Sequence, residues 1–278
     1  MTDIIEKLSC GSLIQHGLYN DRIYLLKASE KGIETLSKRL IVLAMKKGYG
    51  KIFLKVKETH ALPFIRDNYA VEARIPGLYS LSEEGIFLAY YLKEVRRNEK
   101  DRLLYEKNLK LAQRKQRSPV RPLDADHFMI RLCTEGDVYT MKKIYEKVFP
   151  SYPFPIHDTD YLLKTMHDHV DYFCVETAGK IIALSSAEKD IINSHAEMTD
   201  FATLPEWRGN GLAIHLLKQM ENKMKEQGIH TLFTIARAAS AGMNITFSKA
   251  GYRYAGRLKN NTNISGKIES MNIWYRSL

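Results

Sequence analysis

The segment of residues 204–213, Leu-Pro-Glu-Trp-Arg-Gly-Asn-Gly-Leu-Ala, constrains the fold of this chain more than any other. It carries the pattern R-x-x-G-x-A, formed by Arg208, Gly211 and Ala213, between a strand-like run at 198–204 and an amphipathic helical pattern. A glycine turn that opens a helix leaves backbone N–H groups unpaired at the positive end of the helix dipole. Such a turn is either a plain connection or a binding site for an anion such as pyrophosphate, to which Arg208 would add a charged contact.

The hydrophobic pattern on both sides of this segment predicts alternating strands and helices. After the turn, apolar residues recur at helical spacing until Gly228, which suits the end of a helix. Further on, the sequence predicts strands at 231–235, 252–258 and 268–275, with a short helix between the first two. A turn between the last two strands is predicted from four residues: Asn260, Asn261, Asn263 and Gly266. Upstream, it predicts strands at 128–133, 172–176 and 181–185 and helices at 135–149 and 161–166.

This order of elements, with the pattern x-K-x-G-[FY] at 248–252, resembles the GNAT acetyltransferases. The resemblance covers about residues 127–278 and implies an α/β (α+β) fold with a central mixed sheet. In that family the R-x-x-G-x-A loop holds the pyrophosphate of acetyl-CoA, so acetyl-CoA is the implied co-substrate and no metal is implied. The resemblance assigns eight residues to the cofactor: Thr203, Arg208, Gly209, Asn210, Gly211, Leu212, Ala213 and Asn244.

Two segments, 198–213 and 251–266, look like those of the beta-lysine N-acetyltransferases, which are GNAT enzymes found beside lysine 2,3-aminomutase in methanogenic archaea and some bacteria. This resemblance implies acetylation of the side-chain amine of free beta-lysine to N6-acetyl-beta-lysine, a compatible solute used in osmoadaptation. One alternative is a GNAT enzyme that acts on another amine or on a protein lysine. A second alternative is a non-catalytic CoA-sensing or nucleic-acid-binding protein.

Acetyl transfer to an amine needs a group that removes a proton, because a lysine-type ammonium has a pKa of about 10.4. Glu197 and Asp200 lie on the strand before the loop, where several GNAT enzymes carry a glutamate base, and Glu197 is our first candidate. Either acid could instead only bind the substrate ammonium. The tyrosine that often protonates the leaving thiolate in this family is replaced by Phe247, so the thiolate leaves without a dedicated acid or another group serves.

Three residues are candidates for substrate binding: Tyr152, Phe154 and Asn261. The first two belong to the segment 149–155, which three prolines stiffen and which lies where GNAT enzymes often place substrate loops. Their aromatic rings could cover an aliphatic amine, although packing of a core loop explains them equally well. Asn261 could recognise a carboxylate, but turn chemistry is a competing explanation.

The chain divides into three parts: 1–92, 93–126 and 127–278. The middle part is a basic helix followed by a linker that two prolines and a serine mark at 118–122; residues 93–121 hold eleven basic and four acidic side chains. The first part predicts a strand at 22–27, a helix at 33–47, strands at 52–56, 69–74 and 85–92, and a short helix at 62–68. Because this order repeats that of the last third, we interpret residues 1–92 as a degenerate partial GNAT-like unit that lacks the R-x-x-G-x-A loop, with chance similarity as the competing explanation.

Composition narrows the class of protein further. The 278 residues are 45% hydrophobic, enough for a real core, yet no apolar run of about 18 residues predicts a membrane span. Three widely spaced cysteines and the acids Asp3 and Glu6 near the start favour a reduced, cytoplasmic protein. The nine histidines show no metal-ligand spacing. The net charge of +10 suits an anionic cofactor, and a solvated basic helix is favoured over a nucleic-acid surface.

Overall fold

A computed structural model describes residues 3–264 and 266–278 of the chain, which form thirteen strands and eight α-helices. The strands are β1 Ile4–Lys7, β2 Leu13–Gly17, β3 Arg22–Lys27, β4 Lys51–Lys57, β5 Ala70–Tyr79, β6 Glu83–Tyr91, β7 Met129–Leu132, β8 Val170–Thr177, β9 Lys180–Asp190, β10 His195–Thr203, β11 Thr231–Arg237, β12 Arg253–Ile264 and β13 Lys267–Ser277. The helices are α1 Ile33–Lys47, α2 Leu62–Arg66, α3 Glu94–Arg97, α4 Arg102–Arg114, α5 Val138–Val148, α6 Thr159–Asp168, α7 Leu212–Glu226 and α8 Ala241–Lys249.

All thirteen strands join one mixed sheet in the order β1-β2-β3-β4-β6-β5-β12-β13-β11-β10-β9-β8-β7. The pairs β3/β4 and β10/β11 are parallel and the other pairs are antiparallel. Each parallel pair is joined through one long amphipathic helix, α1 or α7, as a parallel connection requires. The predicted α/β fold with a central mixed sheet is confirmed.

The sheet has two halves with the same internal order. The N-terminal half runs β2-β3-β4-β6-β5 and the C-terminal half runs β9-β10-β11-β13-β12 when both are read toward the middle. They meet where Ala73 of β5 pairs with Gly256 of β12. A Cβ atom at Gly256 would lie 2.1 Å from the carbonyl oxygen of Glu72, so this junction requires glycine.

The two halves also pack face to face through an apolar cluster that contains Phe53 and Phe87 from one half and Phe233 and Ile273 from the other. The ring centroids of Phe87 and Phe233 are 6.2 Å apart. Because their strands are well separated in the sheet order, the sheet must curl to bring these rings together. Helices α7 and α8 cover the opposite face of the C-terminal half, and α5 and α6 cover the strands at its outer end.

Most predicted elements are confirmed, and the differences have physical causes. The helix predicted at 33–47 has those bounds and ends at Gly48, which adopts a left-handed φ of 73°. The sequence pattern predicts neither β1 nor β2; in β2, Gln15 and His16 are buried among apolar neighbours and hide the alternation of a strand.

The turn predicted from Asn260, Asn261, Asn263 and Gly266 is confirmed only at Gly266, which lies between β12 and β13, and the prediction is wrong for the three asparagines. These residues lie within β12, whose pairing with β13 is irregular between Leu258 and Thr262, and Asn260 takes a φ of 40° there. Asparagine tolerates this left-handed backbone better than most residues, so a composition that suggests a turn here forms a bulge instead.

Candidate active site

A cleft of about 640 Å³ opens where β10 and β11 separate. The two strands are paired only at His195–Glu197 and Thr231–Phe233, although β10 continues to Thr203 and β11 to Arg237. Eight residues predicted for the site line this cleft: Tyr152, Asp200, Thr203, Arg208, Gly209, Gly211, Leu212 and Ala213. The cleft has the size of a small-molecule or cofactor site.

The loop at one end of the cleft has the backbone shape of an anion site. Gly209 and Gly211 have left-handed φ values of 90° and 71°, and a Cβ atom at either position would meet nothing within 4 Å. Gly211 is the N-cap of α7 and no side chain caps this helix end. The first N–H groups of α7 are therefore open to a ligand at the positive end of the helix dipole. Arg208 is exposed beside them, and its Nε donates to the carbonyl oxygen of Thr203.

Asp200 is held rigidly in the wall of the cleft by a bulge in β10. The pairing with β9 shifts between Thr199 and Ala202, and Asp200 has a φ of 53°. Its carboxylate accepts hydrogen bonds from the hydroxyl of Tyr152 and, at 2.6 Å, from Oγ of Ser186. Burial raises the pKa of Asp200 while these hydrogen bonds oppose the shift. A carboxylate fixed in this way can orient a neighbouring group but has few free lone pairs.

Glu197 lies at the point where the strands part. It occupies the last position at which β10 pairs with β11, opposite Phe233, and on its other side it faces Glu188 of β9. Among the described residues its carboxyl group has no hydrogen bond or ion pair. Burial raises the pKa of Glu197 to about 7, the charge of Asp200 adds to the shift, and Lys55 opposes it. A carboxyl group with this pKa and free oxygens can accept a proton near neutral pH.

The structure separates the three predicted substrate residues. Tyr152 lines the cleft next to Asp200. Phe154 packs instead against the core of α5 and α6. Asn261 is buried in β12, where its carbonyl oxygen accepts a hydrogen bond from Nη1 of Arg22 in the N-terminal half. Neither Phe154 nor Asn261 lines the cleft. The ring of Phe154 packs into the core, and Asn261 lies in the irregular part of β12, away from the cleft.

Asn244 also differs from its predicted place at the cofactor. It is fully buried in α8, and its Nδ2 donates to the carbonyl oxygens of Arg237 and Ser240. Its Oδ1 accepts hydrogen bonds from Asn272 at 2.8 Å and Trp274 at 2.9 Å. These four bonds use the whole amide for internal packing. Asn210, a further predicted cofactor residue, points its amide back to the carbonyl oxygen of Trp207 rather than into the cleft.

The sequence analysis identifies only Phe247 in the far wall of the cleft and does not predict the wall itself. It is formed by β11 and α8 and includes Ile235, Ser240, Thr246 and Phe247. Phe247 packs its ring against Phe201 at 5.6 Å, so the residue at the usual tyrosine position contributes apolar surface. The small-residue segment before α8 was the available signal, since it lets this helix approach the open edge of β11 closely.

Comparison with known proteins agrees with this geometry. The model of the Acetyltransferase (GNAT) family matches residues 139–252. The chain is 40% identical to beta-lysine N(6)-acetyltransferase of Methanococcus maripaludis over 95% of this chain and 96% of that protein. It is 34% identical to the protein of the same name from Methanosarcina mazei over 84% of each chain, and 31% identical to N-acetyltransferase YodP of Bacillus subtilis over the full length of both.

Among solved structures, a spermidine N-acetyltransferase SpeG variant from Vibrio cholerae is 21% identical, with a TM-score of 0.48 over 55% of this chain and 94% of that chain.

The chain therefore belongs to the GNAT acetyltransferase family. It is an acetyl-CoA-dependent amine N-acetyltransferase, similar along nearly its whole length to enzymes named for beta-lysine. Within the described part of the chain, no helix is long and apolar enough to span a membrane. No cluster of three or more histidine, cysteine or acidic side chains suited to a metal occurs among the same residues.

Proposed function

We propose that this enzyme transfers the acetyl group of acetyl-CoA to the side-chain amine of free beta-lysine, giving N6-acetyl-beta-lysine, a compatible solute. The observation that carries the proposal is the free carboxyl group of Glu197, placed where β10 and β11 part beside the cleft. Relatives that bear this activity in their names support the choice of substrate. The enzyme would work in the cytoplasm, and a lysine 2,3-aminomutase would supply its substrate.

For the cofactor, we assign the pyrophosphate of acetyl-CoA to the loop from Arg208 to Ala213. The uncapped N–H groups of α7 would bind its oxygens, the open space above Gly209 and Gly211 would admit them, and Arg208 would add a charge-assisted contact. The thioester would extend into the gap between the strands. Thr203 lines the same cleft at the end of β10.

For the chemistry, we assign Glu197 as the base. The substrate ammonium loses a proton to this carboxylate, and the resulting amine nitrogen bonds to the thioester carbon. The C–S bond then breaks, CoA leaves as a thiolate that takes the second proton given up by the nitrogen, and Glu197 returns its proton to solvent. Beyond Glu197 no β11 residue pairs with β10, so backbone N–H groups on that edge are free to stabilise the oxyanion of the intermediate. Asp200 holds Tyr152 and orients the amine rather than accepting its proton.

We also propose that residues 1–92 are a degenerate GNAT-like unit, residues 93–126 a basic helix and linker, and residues 127–278 the catalytic domain. The repeated strand order of the two halves supports this division. The loop before α1 reads Ala-Ser-Glu-Lys-Gly at 28–32 and contains no R-x-x-G-x-A pattern, so this unit has no pyrophosphate loop.

The substrate assignment is tested by steady-state kinetics with acetyl-CoA and four amines: beta-lysine, alpha-lysine, ornithine and a lysine-containing peptide. We expect the highest kcat/KM for beta-lysine, because a site that pairs a free carboxylate and a second ammonium loses about 1–3 kcal/mol when one partner is displaced. Preference for the peptide would contradict the small-molecule function. Equal kcat/KM for the two lysines would contradict only the choice of beta-lysine.

A further inference from the structure

Glu188 and Glu197 form an unusual pair of acids in the middle of the sheet. They are directly opposite each other on β9 and β10, so both side chains lie on the same face with their Cβ atoms about 4.5–5.5 Å apart. Like charges in this position destabilise a sheet. No hydrogen bond or ion pair of either carboxyl group occurs among the described residues, and neither side chain is completely buried. These two carboxyl groups can therefore bind a cationic group of a ligand.

A lysine from the N-terminal half stands against this pair. Nζ of Lys55 lies 4.6 Å from the ring centroid of Phe233, and Phe233 is the strand neighbour of Glu197. Lys55 acts electrostatically on both glutamates and they act on it, although no ion pair joins them. Lys55 from the N-terminal half and the two glutamates from the C-terminal half thus lie near each other where the halves meet, but they form no ion pair.

The other lysines on this face of β4 show that Lys55 is a special case. Lys51 is fully buried and donates to Oε2 of Glu72 at 2.8 Å. Lys57 is half-buried and lies 3.6 Å from Oε2 of Glu83. Their positive charges are used inside the protein, whereas Lys55 between them has no ion pair among the described residues. Lys55 is half-buried, and its ammonium contacts the ring of Phe233 without an ion-pair partner, which favours an anionic ligand as its partner.

The N-terminal half is also hydrogen-bonded to the loop that contains Tyr152. Nε2 of Gln15 on β2 donates to the carbonyl oxygen of Pro153 at 3.0 Å, while Oε1 of Gln15 is buried with no partner among the described residues. Gln15 pairs directly with Tyr24 of β3, whose pKa is raised by burial and by the charges of Glu197 and Glu188. These contacts place this face of the N-terminal half next to the acids and next to the loop whose Tyr152 lines the cleft.

We propose that the N-terminal half completes the amine site, with Lys55 binding the carboxylate of a diamino acid and Glu188 binding the ammonium that is not acetylated. This inference rests on the proposed function, since it takes Glu197 as the base for the other amine. The enzyme then selects amino acids that carry two amines over simple diamines and over amino acids with one amine. The selection depends on a unit that has no cofactor loop of its own.

The test compares three amines that each keep the reacting end of beta-lysine. The first is beta-lysine itself; 1,4-diaminopentane lacks the carboxylate, and 6-aminohexanoate lacks the second amine. Lys55→Met should lower kcat/KM about tenfold to a hundredfold for beta-lysine and 6-aminohexanoate and leave 1,4-diaminopentane nearly unchanged, because only the first two have the carboxylate. Glu188→Gln should lower it similarly for beta-lysine and 1,4-diaminopentane and spare 6-aminohexanoate.

Two further variants serve as controls for the effect of Lys55→Met. Lys57→Met removes a lysine from the same face of β4 and should leave all three values near those of the wild type. Lys55→Arg should restore part of the loss, and calorimetric binding of acetyl-CoA should be normal in every variant that has folded. Equal losses on all three amines would overturn the assignment of Lys55 and Glu188 while leaving the proposed function intact. A wild-type enzyme that does not acetylate beta-lysine would overturn the proposed function and this inference together.

Discussion

The two halves of the sheet share one strand order but differ at their parallel pair of strands. In the N-terminal half, β3 and β4 stay paired over four of the six residues of β3, from Arg22 to Leu25. In the C-terminal half, β10 and β11 are paired over three positions and then separate, although β10 has nine residues. The comparison shows that the cleft comes from this separation and not from the strand order.

The helix that connects the two strands of each parallel pair shows a second difference between the halves. Both α1 and α7 begin at a glycine with left-handed φ, Gly32 at 81° and Gly211 at 71°, and neither helix has a side-chain cap. A Cβ atom at Gly32 would meet side chains at 3.8 and 3.9 Å, whereas Gly211 faces empty space. Two helix ends with similar backbones thus differ in their surroundings: side chains lie at van der Waals distance from Gly32, and the space around Gly211 is empty.

The largest expected effect concerns the base, which only the C-terminal half carries. Glu197→Gln should lower kcat about 10²–10⁴-fold, because the amide cannot accept the amine proton. Acetyl-CoA affinity should change little, since Glu197 is not among the residues that line the cleft and its loop. Turnover and calorimetry on the same preparation check both expectations; near-normal turnover from pH 6 to 9 would move the role of base to Asp200.

The pH profile sharpens this assignment. Since the pKa of Glu197 is raised to about 7, the wild-type kcat/KM should rise with pH through that region as the carboxyl group loses its proton. Because this base takes its proton from the substrate ammonium, kcat/KM should fall again at higher pH, near the ammonium pKa of about 10.4. The lower of the two steps should disappear in Glu197→Gln. A step near 7 that persists in this variant would belong to another group.

The next effect compares the two helix ends. Gly211→Leu should weaken acetyl-CoA binding by blocking close approach, and Arg208→Ala should weaken it about tenfold to a hundredfold by removing a charge-assisted contact. Gly32→Leu is the matched control: it places a side chain at a left-handed position of similar φ, but at the start of α1. Calorimetry should show normal acetyl-CoA affinity for this control. Unchanged affinity in both loop variants would refute the pyrophosphate assignment.

A smaller effect tests whether Asn244 serves the fold or the cofactor. Asn244→Ala leaves the buried donors of Asn272 and Trp274 without an acceptor, which costs about 1–3 kcal/mol of unfolding free energy for each unsatisfied group. Acetyl-CoA affinity should stay near that of the wild type. Denaturant unfolding and calorimetry separate the two roles; a stable variant with weak acetyl-CoA binding would return Asn244 to the cofactor site.

The parts of the fold that follow local patterns could be predicted. Helix α1 was placed at its observed bounds because Leu36, Leu40 and Ala44 repeat at helical spacing and Gly48 ends the pattern. The glycine turn before α7 is also a local feature of consecutive residues, and the structure places Arg208, Gly209 and Gly211 of this turn at the cleft. Strand β12 was cut short because Asn260 lies in a bulge, where its Nδ2 donates to the carbonyl oxygen of Asn98 at 3.0 Å.

The proximity of Lys55, Glu188 and Glu197 could not be predicted, because it arises from the tertiary structure. Lys55 and Glu188 belong to different halves of the sheet and lie far apart in sequence. Only the curl of the sheet brings Lys55 to Phe233, and only the register of β9 and β10 sets Glu188 opposite Glu197. A single sequence shows neither the curl nor the register: Lys55 falls in the strand predicted at 52–56, and Glu188 lies beyond the strand predicted at 181–185, which the structure extends to Asp190.

The central claim is that one half of this sheet binds acetyl-CoA and the other has kept the strand order without the cofactor site. Calorimetric titration of the full chain with acetyl-CoA tests it most directly. We predict a stoichiometry of one acetyl-CoA per chain, because only α7 follows an R-x-x-G-x-A loop beside separated strands. Two acetyl-CoA molecules per chain would contradict the claim and show that the N-terminal half is a working cofactor site.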